Sequence, residues 1–244
     1  MKNAVIFLLI TFFSSSVFAN DPKLSWDRAV VFAPQSTDPL KITDIKSDKP
    51  LPVVIYLHGC TGIVDWHDFD WGKTLSGAGY IVIMPDSMAR EGRIANCDSA
   101  QKKGGAFPQA HEYRQQEITY ALDQIKQAPW ADKNRIFLVG HSEGGTAVAI
   151  STHTEPRANV ILAWTCTFRW EPQLDGIKSP KNIPILAVAA SSDEWRVGKP
   201  TYGKCIDRAE GRSVQQVNLN GSTHATTKYP ESKPAVLEFL KQYQ

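Results

Sequence analysis

The sequence lacks several features that would assign it to familiar classes of protein. It has no C-x-x-C pair, so zinc-finger and thioredoxin-like sites have no support, and it has no internal repeat or low-complexity tract. The formal net charge is only +2 and forms no basic stripe or charged tail, which argues against nucleic acid as a partner. Beyond the N-terminal segment, no apolar run approaches the roughly 20 residues that a membrane-spanning helix needs.

Residues 1–19 have the composition of a secretory signal peptide. A positive charge lies near the start, residues 5–13 are apolar except for one threonine, and Ala19 is a small residue that a signal peptidase accepts. We expect cleavage before Asn20, which leaves residues 20–244 as a single domain in the periplasm or outside the cell, with no stable membrane insertion. The alternative is an uncleaved membrane anchor, for which the apolar run is short.

The chain contains four cysteines, at positions 60, 97, 166 and 205. In an oxidising compartment an even number of cysteines predicts disulfides, and three connectivities are possible. We favour Cys60–Cys97 and Cys166–Cys205, because each pair would join loops expected on the same side of a sheet. The alternative is that the thiols are buried and free.

Apolar runs and amphipathic segments alternate along the rest of the chain. Continuous apolar runs are typical of strands buried on both faces of a parallel sheet, and the segments between them have helical periodicity. We therefore predict an α/β fold with a mostly parallel central sheet, helices on both faces and no insertion large enough for a lid domain. The predicted central strands are 53–57, 80–84, 135–139, 160–163 and 183–189, the weaker edge strands are 29–32 and 214–219, and the predicted helices are 66–78, 112–128, 146–150 and 234–243.

The pattern G-x-S-x-G at residues 140–144 lies between a predicted strand and a predicted helix. In this context it is typical of a nucleophile elbow, a tight turn that exposes a serine hydroxyl at the edge of the sheet. Glycine is expected at 140 and 144 because side chains there would collide with the nucleophile. We predict that Ser142 is a catalytic nucleophile. The alternative is a glycine-rich turn in which the serine only caps the helix.

An acid and a histidine follow later strands in the order Ser142, Asp193, His224, which is similar to that of α/β-hydrolases. The carboxyl ends of parallel strands meet at one edge of a sheet, so these side chains are expected to meet. The imidazole would take the serine proton and the carboxylate would orient the imidazole. Among six histidines, only His224 lies in a Gly/Ser-rich loop after the last predicted strand. Glu194 and, less favoured, Asp207 are alternatives for the acid.

Two backbone N–H groups are expected to stabilise the oxyanion that forms when a serine attacks a carbonyl carbon. One is the amide of Glu143, directly after the nucleophile. The other is the amide of Cys60, in the loop after the first central strand. A Cys60–Cys97 disulfide would fix that loop.

Several short motifs resemble those of the dienelactone hydrolase family and occur in the same order. This resemblance implies an α/β-hydrolase fold, the triad Ser142, Asp193 and His224, and hydrolysis of carboxylic esters through an acyl-enzyme, with no metal and no cofactor. The chain departs from the founding members in having serine where they have cysteine and in its predicted export. The matching segments are 56–62, 79–80, 84–87, 132–135, 140–145, 192–195 and 221–224.

The expected partner is a small-molecule or polymeric ester, and the oligomeric state is not predicted. Residues 58–61, His-Gly-Cys-Thr, are also similar to secreted polyester depolymerases and feruloyl esterases. A peptidase and a non-catalytic binding protein with the same fold are further alternatives. Trp195, Trp66 and Arg90 are candidates to line the substrate cleft. The competing interpretation is ordinary packing for the tryptophans and a solvated loop charge for Arg90. The same two interpretations, binding of a substrate carboxylate or a solvated charge, apply to Arg93.

Overall fold

The computed structural model describes residues 21–34, 36–104, 108–199 and 201–244. The predicted signal peptide and its cleavage site lie outside this part of the chain. Within it, no helix is both long and apolar enough to cross a bilayer. The strands are Val30–Phe32 (β1), Leu51–Leu57 (β2), Ile81–Met84 (β3), Cys97–Asp98 (β4), Lys103–Gly104 (β5), Ala131–His141 (β6), Ala158–Leu162 (β7), Ile185–Ala190 (β8) and Val214–Leu219 (β9); the α-helices are Pro22–Asp27 (α1), Asp70–Gly77 (α2), Pro108–Gln127 (α3), Glu143–Ile150 (α4) and Ser232–Lys241 (α5).

Seven strands form one sheet in the order β1-β3-β2-β6-β7-β8-β9. Neighbouring strands are parallel except for β1, which is antiparallel to β3. Leu57 at the end of β2 pairs with Gly140, and His141 at the end of β6 pairs with Leu162 of β7. The loops after β2, β6, β8 and β9 therefore lie at the same edge of the sheet, as predicted for a mostly parallel α/β fold.

Both faces of the sheet are covered by helices, because its central strands are apolar on both faces. In β2 the side chains of residues 53, 55 and 57 pack with α1, α3 and α4 on one face. Residues 54 and 56 pack with α2 and α5 on the other face. This alternation follows from the two-residue period of a strand, and it confirms the predicted layers.

Two segments differ in detail from the sequence prediction. The predicted helix at 66–78 is divided into a π-helical turn, Asp65–Phe69, and α2. Here the carboxylate of Asp68 accepts a hydrogen bond from the Val64 N–H at 2.7 Å. Between the predicted strand 80–84 and the predicted helix 112–128, where no element was predicted, the structure contains the β4–β5 hairpin, whose two-residue strands are too short to show alternation. Helix α3 begins at Pro108, since proline is well suited to the first turn of a helix.

The structure contains two disulfides, Cys60–Cys97 and Cys166–Cys205. These are the pairs that the sequence favours over the other two connectivities. Cys60–Cys97 joins the loop after β2 to the β4–β5 hairpin. Cys166–Cys205 joins the segment after β7 to the 3₁₀ turn Cys205–Arg208. All four cysteines are therefore bonded.

Candidate active site

Ser142 lies at the turn between β6 and α4. Its backbone φ is 56° and its ψ is −111°, a conformation that residues other than glycine rarely adopt. The Ser142 N–H donates to the Leu162 carbonyl at 2.9 Å, and the Ser142 carbonyl accepts from the Thr146 N–H at 3.0 Å. The surrounding backbone thus holds the strained turn that the G-x-S-x-G pattern predicts.

The glycines at 140 and 144 are required by close backbone contacts. A Cβ at Gly140 would lie 2.2 Å from the Gly144 carbonyl oxygen, and a Cβ at Gly144 would lie 2.0 Å from the Leu57 carbonyl oxygen. The expected collision with the nucleophile itself is therefore replaced by collisions with α4 and with the end of β2. The effect is the same, because only glycine lets the helix start so close to the sheet.

Asp193 and His224 form a hydrogen-bonded pair at this edge of the sheet. His224 Nδ1 lies 2.7 Å from Asp193 Oδ2, and the Trp195 N–H donates to Asp193 Oδ1 at 2.8 Å. His224 Nε2 is buried and has no hydrogen-bond partner in the described part of the chain, so no bond to Ser142 Oγ is formed. Ser142 and His224 nevertheless line one cavity. Catalytic hydrogen bonds often tighten only when substrate is bound.

Neither alternative acid pairs with the ring of His224 in the described part of the chain, although Glu194 lines the same cavity. Glu194 is at the surface, where it forms an ion pair of 3.3 Å with Lys102. Asp207 is exposed in the 3₁₀ turn Cys205–Arg208. The structure therefore brings Asp193, and neither alternative, to the ring of His224.

His141, the variable residue of the elbow, supports the loop that carries His224. Burial lowers the pKa of His141 well below its usual value, so the ring is neutral, and its Nε2 lies 3.2 Å from the His224 carbonyl oxygen. Burial also lowers the pKa of His224, although the bond to Asp193 opposes this. The His224 ring is consequently neutral at pH 7, the state in which it can accept a proton.

His67, Asp68 and His141 offer three metal-ligand atoms within 4.8 Å of one another. Both oxygens of Asp68 already accept hydrogen bonds from protein groups. Oδ1 accepts from Tyr56 Oη at 2.8 Å and pairs with His67 Nδ1 at 2.9 Å, and Oδ2 accepts from the Val64 N–H. The Asp68 carboxylate is therefore satisfied by protein groups, whereas His67 Nε2 is buried without a hydrogen-bond partner in the described part of the chain. The His67 ring packs against His141, with 4.0 Å between the ring centres.

A buried ionic network lies behind Ser142, and the sequence did not reveal it. Glu143 Oε1 accepts hydrogen bonds from Arg93 Nη2 and from Arg114 Nε at 3.1 Å. Arg114 Nη1 is 3.4 Å from Glu117 Oε2. Burial raises the pKa of Glu143, but the charges of Arg114 and Arg93 outweigh it and lower the pKa to about 2. The residue after Ser142 is thus a fixed carboxylate.

The same network holds the loop that carries Cys60. Arg114 Nη2 donates to the carbonyl oxygens of His58 at 2.9 Å and Gly59 at 3.3 Å. His58 Nε2 accepts from the Ser87 N–H at 3.1 Å, so its Nδ1 carries the hydrogen and donates to the Gly59 carbonyl at 2.7 Å. The C=O and N–H of one trans peptide point in opposite directions, so the bonded Gly59 carbonyl turns the Cys60 N–H away from this network.

Two cavities meet at Ser142. The first, which we call the tryptophan cavity, has a volume of about 190 Å³ and the second, the histidine cavity, about 300 Å³. Cys60, Ser142 and Trp195 line both. The tryptophan cavity is further bounded by Trp164, Phe168, Trp170 and Arg196, and the histidine cavity by Trp66, His67, His141 and His224.

The three candidate substrate-lining residues have different outcomes. Trp195 lines both cavities, and Trp66, which is 60% exposed, lines the histidine cavity. Arg90 lines neither cavity and is not a solvated loop charge. It is buried, its Nη1 lies 3.7 Å from Glu117 Oε1, and it donates to the Tyr113 carbonyl. The Arg90 side chain is buried because helix α3 offers it two acceptors, Glu117 and the Tyr113 carbonyl, although its position in a loop predicts exposure.

The sheet order, the strained serine turn and the histidine–carboxylate pair define an α/β-hydrolase fold. The sequence model of the dienelactone hydrolase family matches residues 42–211, which is more than half of the chain. The chain therefore belongs to the dienelactone hydrolase family. No curated protein matches the chain significantly.

Solved structures with the same fold include several esterases and hydrolases. A dienelactone hydrolase-like promiscuous phosphotriesterase from metagenomic libraries is 17% identical, with a TM-score of 0.60 over 88% of this chain and 97% of that one. Est1E from Butyrivibrio proteoclasticus is 17% identical, with a TM-score of 0.57 over 88% and 91%. The thermophilic esterase Est2 from Thermogutta terrifontis is 13% identical, with a TM-score of 0.57 over 88% of each chain. At these identities the likeness establishes the fold alone.

Proposed function

We propose that the protein is an exported serine hydrolase that cleaves carboxylic esters through an acyl-enzyme. Ser142 is the nucleophile, His224 the general base and Asp193 the carboxylate that orients it. The observation that carries the proposal is the 2.7 Å contact between His224 Nδ1 and Asp193 Oδ2. It leaves Nε2 as the free acceptor of a ring that lines the same cavity as Ser142.

In the proposed reaction, Ser142 Oγ attacks the ester carbonyl carbon while His224 Nε2 takes the hydroxyl proton. The tetrahedral intermediate expels the alcohol, which takes this proton from the imidazolium, and the acyl group stays on Ser142. A water molecule then attacks the acyl-enzyme, with His224 again acting as the base. These steps use no metal and no cofactor.

The amides of Cys60 and Glu143 stabilise the oxyanion in this proposal. Glu143 is the first residue of α4, and the N–H groups of a first helical turn have no partner within their helix. The Cys60 amide is turned away from Arg114 by the bonded Gly59 carbonyl. One guanidinium, that of Arg114, thus contacts the Glu143 carboxylate and the carbonyl that precedes the Cys60 amide. This linkage keeps the two donors in fixed relative positions.

The test combines a fluorophosphonate probe with turnover of a short-chain nitrophenyl ester. Wild-type protein is expected to be labelled at one serine and to hydrolyse the ester. Ser142→Ala should abolish labelling and lower kcat by several orders of magnitude. Ser99→Ala is the matched control, because Ser99 is an exposed serine in the histidine cavity and should leave both readouts unchanged. Folded wild-type protein that is neither labelled nor active would refute the proposal.

A polymer-degrading esterase is the second candidate function. Trp66 is 60% exposed and Trp170 is 53% exposed, and each lines one of the two cavities that meet at Ser142. Exposed aromatic rings on both sides of the nucleophile favour a bulky ester. Comparing rates on small esters, peptides and polyester films separates this function from a small-molecule esterase and from a peptidase.

Export is supported by the two disulfides, since such bonds persist in oxidising compartments. The signal-like composition of residues 1–19 points the same way. N-terminal sequencing of the protein from the periplasm or medium should begin at Asn20. A mature protein that retains residue 1 would exclude the proposed cleavage.

A further inference from the structure

Two histidines of the histidine cavity, His67 and His141, each have one ring nitrogen bound to an oxygen acceptor. His67 Nδ1 lies 2.9 Å from Asp68 Oδ1, and His141 Nε2 lies 3.2 Å from the His224 carbonyl oxygen. Carboxylate and carbonyl oxygens only accept hydrogen bonds, so in a neutral ring these nitrogens carry the hydrogen. The other nitrogen of each ring then has a free lone pair, which is the form in which imidazole binds a metal ion.

The free nitrogen of His67 is not used by the protein. The His67 side chain is 3% exposed, and its Nε2 has no hydrogen-bond partner in the described part of the chain. The His67 ring lines the histidine cavity, and the Asp68 carboxylate fixes its orientation. A carboxylate on the second nitrogen is the usual partner of a metal-binding histidine. His67 has no part in the proposed reaction, so catalysis does not account for its unpartnered nitrogen.

The buried carboxylate of Asp68 has no lysine or arginine as a partner. It accepts hydrogen bonds from two neutral donors, Tyr56 Oη and the Val64 N–H, and its ion pair among the described residues is with His67. A buried carboxylate is stabilised by positive charge close to it. A cation bound to His67 Nε2 would supply that charge from the other side of the imidazole ring.

The spacing of the rings is close to that of two imidazoles on one metal ion. Zn–N bonds of about 2.0–2.1 Å and tetrahedral angles place the centres of two such rings roughly 5 Å apart. The ring centres of His67 and His141 are 4.0 Å apart, and the two side chains offer ligand atoms within 4.8 Å of each other. A shift of about 1 Å in one side chain therefore brings both nitrogens to one ion.

We propose that the histidine cavity binds a zinc ion through His67 Nε2 and His141 Nδ1, and that the bound ion inhibits ester hydrolysis. Imidazole nitrogens suit zinc, whereas magnesium and calcium prefer oxygen ligands. Water molecules complete the coordination, since exposed Trp66 lines the same cavity and leaves it open to solvent.

The inhibition follows from the position of the ion beside the proposed base. The ring of His224 lies 4.9 Å from that of His141, between centres, and both line the histidine cavity. His224 must become an imidazolium during the proposed reaction, and a dication close to it disfavours that charge. The inhibition thus rests on the proposed serine hydrolase function, but zinc binding does not require catalysis.

Calorimetric titration of zinc chloride into the full chain carrying Ser142→Ala measures binding without turnover. We expect a single zinc ion per chain and no binding of magnesium chloride. Adding His67→Phe keeps a flat ring against His141 but removes the ligand. Loss of a mere partner of a metal ligand weakens binding at least tenfold, so this change should weaken it at least as much.

His67→Gln is a second variant with the same expected loss, in case His67→Phe does not fold. His153→Gln is the matched control, because His153 lies near Glu155 outside the histidine cavity and should leave zinc affinity unchanged. Absence of zinc binding, or equal zinc affinity with and without His67, would overturn the site and leave the serine hydrolase standing.

Turnover of the nitrophenyl ester by the chain with Ser142 intact tests the inhibition. Saturating zinc should lower kcat/KM at least tenfold, a chelator should restore it, and the zinc concentration for half inhibition should rise at least tenfold in His67→Phe, relative to the metal-free rate of that variant. Zinc binding that depends on His67 but leaves kcat/KM unchanged would overturn the inhibition. The same binding in a protein without any ester turnover would support the site and refute only the proposed catalysis.

Discussion

Glu143 gives the most quantitative prediction, because its carboxylate is buried between two arginines directly after the proposed nucleophile. We expect Glu143→Gln to destabilise the protein at pH 7. The amide keeps the shape of the side chain, but it leaves the charges of Arg93 and Arg114 without their partner. Removing one member of a buried ion pair typically costs about 3–5 kcal/mol.

The pKa of Glu143 provides an independent magnitude. Its fall from 4.5 to about 2 corresponds to about 3 kcal/mol, at about 1.4 kcal/mol per pH unit. Because the folded-state pKa is lowered, this contribution is present above the unfolded pKa of 4.5 and is lost as the pH falls towards 2. By about pH 3 roughly 2 kcal/mol of it should be gone.

The assay is urea unfolding of the wild type and of Glu143→Gln at pH 7, 4.5 and 3. The difference in unfolding free energy should be about 3 kcal/mol at pH 7 and about 1 kcal/mol at pH 3. Glu155→Gln is the control, since Glu155 pairs with Lys126 at the surface and should change stability by less than about 1 kcal/mol. A Glu143→Gln difference that is the same at pH 7 and pH 3 would refute the reasoning.

Three further predictions concern the edge of the sheet at which Ser142 and His224 lie. Since burial lowers the pKa of His224, kcat/KM should rise with pH to a plateau with a midpoint below 6.5, and a midpoint above 6.5 would contradict a neutral buried base. Replacing Cys60 and Cys97 by serine should lower the free energy of unfolding by roughly 4 kcal/mol, and replacing the other cysteine pair should lower it equally, because the two disulfides close loops of similar length. The first replacement should lower kcat more, because it frees the loop of a proposed oxyanion donor. Equal losses of kcat would argue against that role. Gly144→Ala should prevent formation of an active fold, whereas Gly77→Ala, where an added Cβ meets nothing within 4 Å, should be tolerated; an active Gly144→Ala enzyme would contradict the elbow geometry.

Most of the fold was predictable because its signals are local. Runs such as 53–57 and 160–163 are apolar on both faces, which is sufficient to predict central parallel strands. The turn at Ser142 was predictable because two glycines at fixed spacing are needed for close backbone contact. The geometry also distinguishes Asp193 from Glu194, a choice that the sequence left open, because neighbouring residues of a turn point in different directions.

The residues that the sequence did not reveal act through long-range contacts. Arg114 looks like an ordinary polar residue of an amphipathic helix, yet it is fully buried and contacts the loop after β2 more than fifty residues away. His141 occupies the variable position of the elbow pattern but contacts the backbone of His224 across 83 residues. Arg90 was wrongly expected in solvent or in the cleft for the same reason. Such pairings depend on how strands and helices pack, which no local pattern encodes.

The central claim is that an acyl group is transferred to Ser142 during turnover. The most direct measurement is acid quenching of the enzyme during hydrolysis of a slow aryl ester, followed by mass spectrometry of its peptides. The account predicts that the mass of the acyl group appears on the peptide containing Ser142 and disappears in Ser142→Ala. Continued turnover with no acylated peptide, or acylation of a different residue, would contradict it.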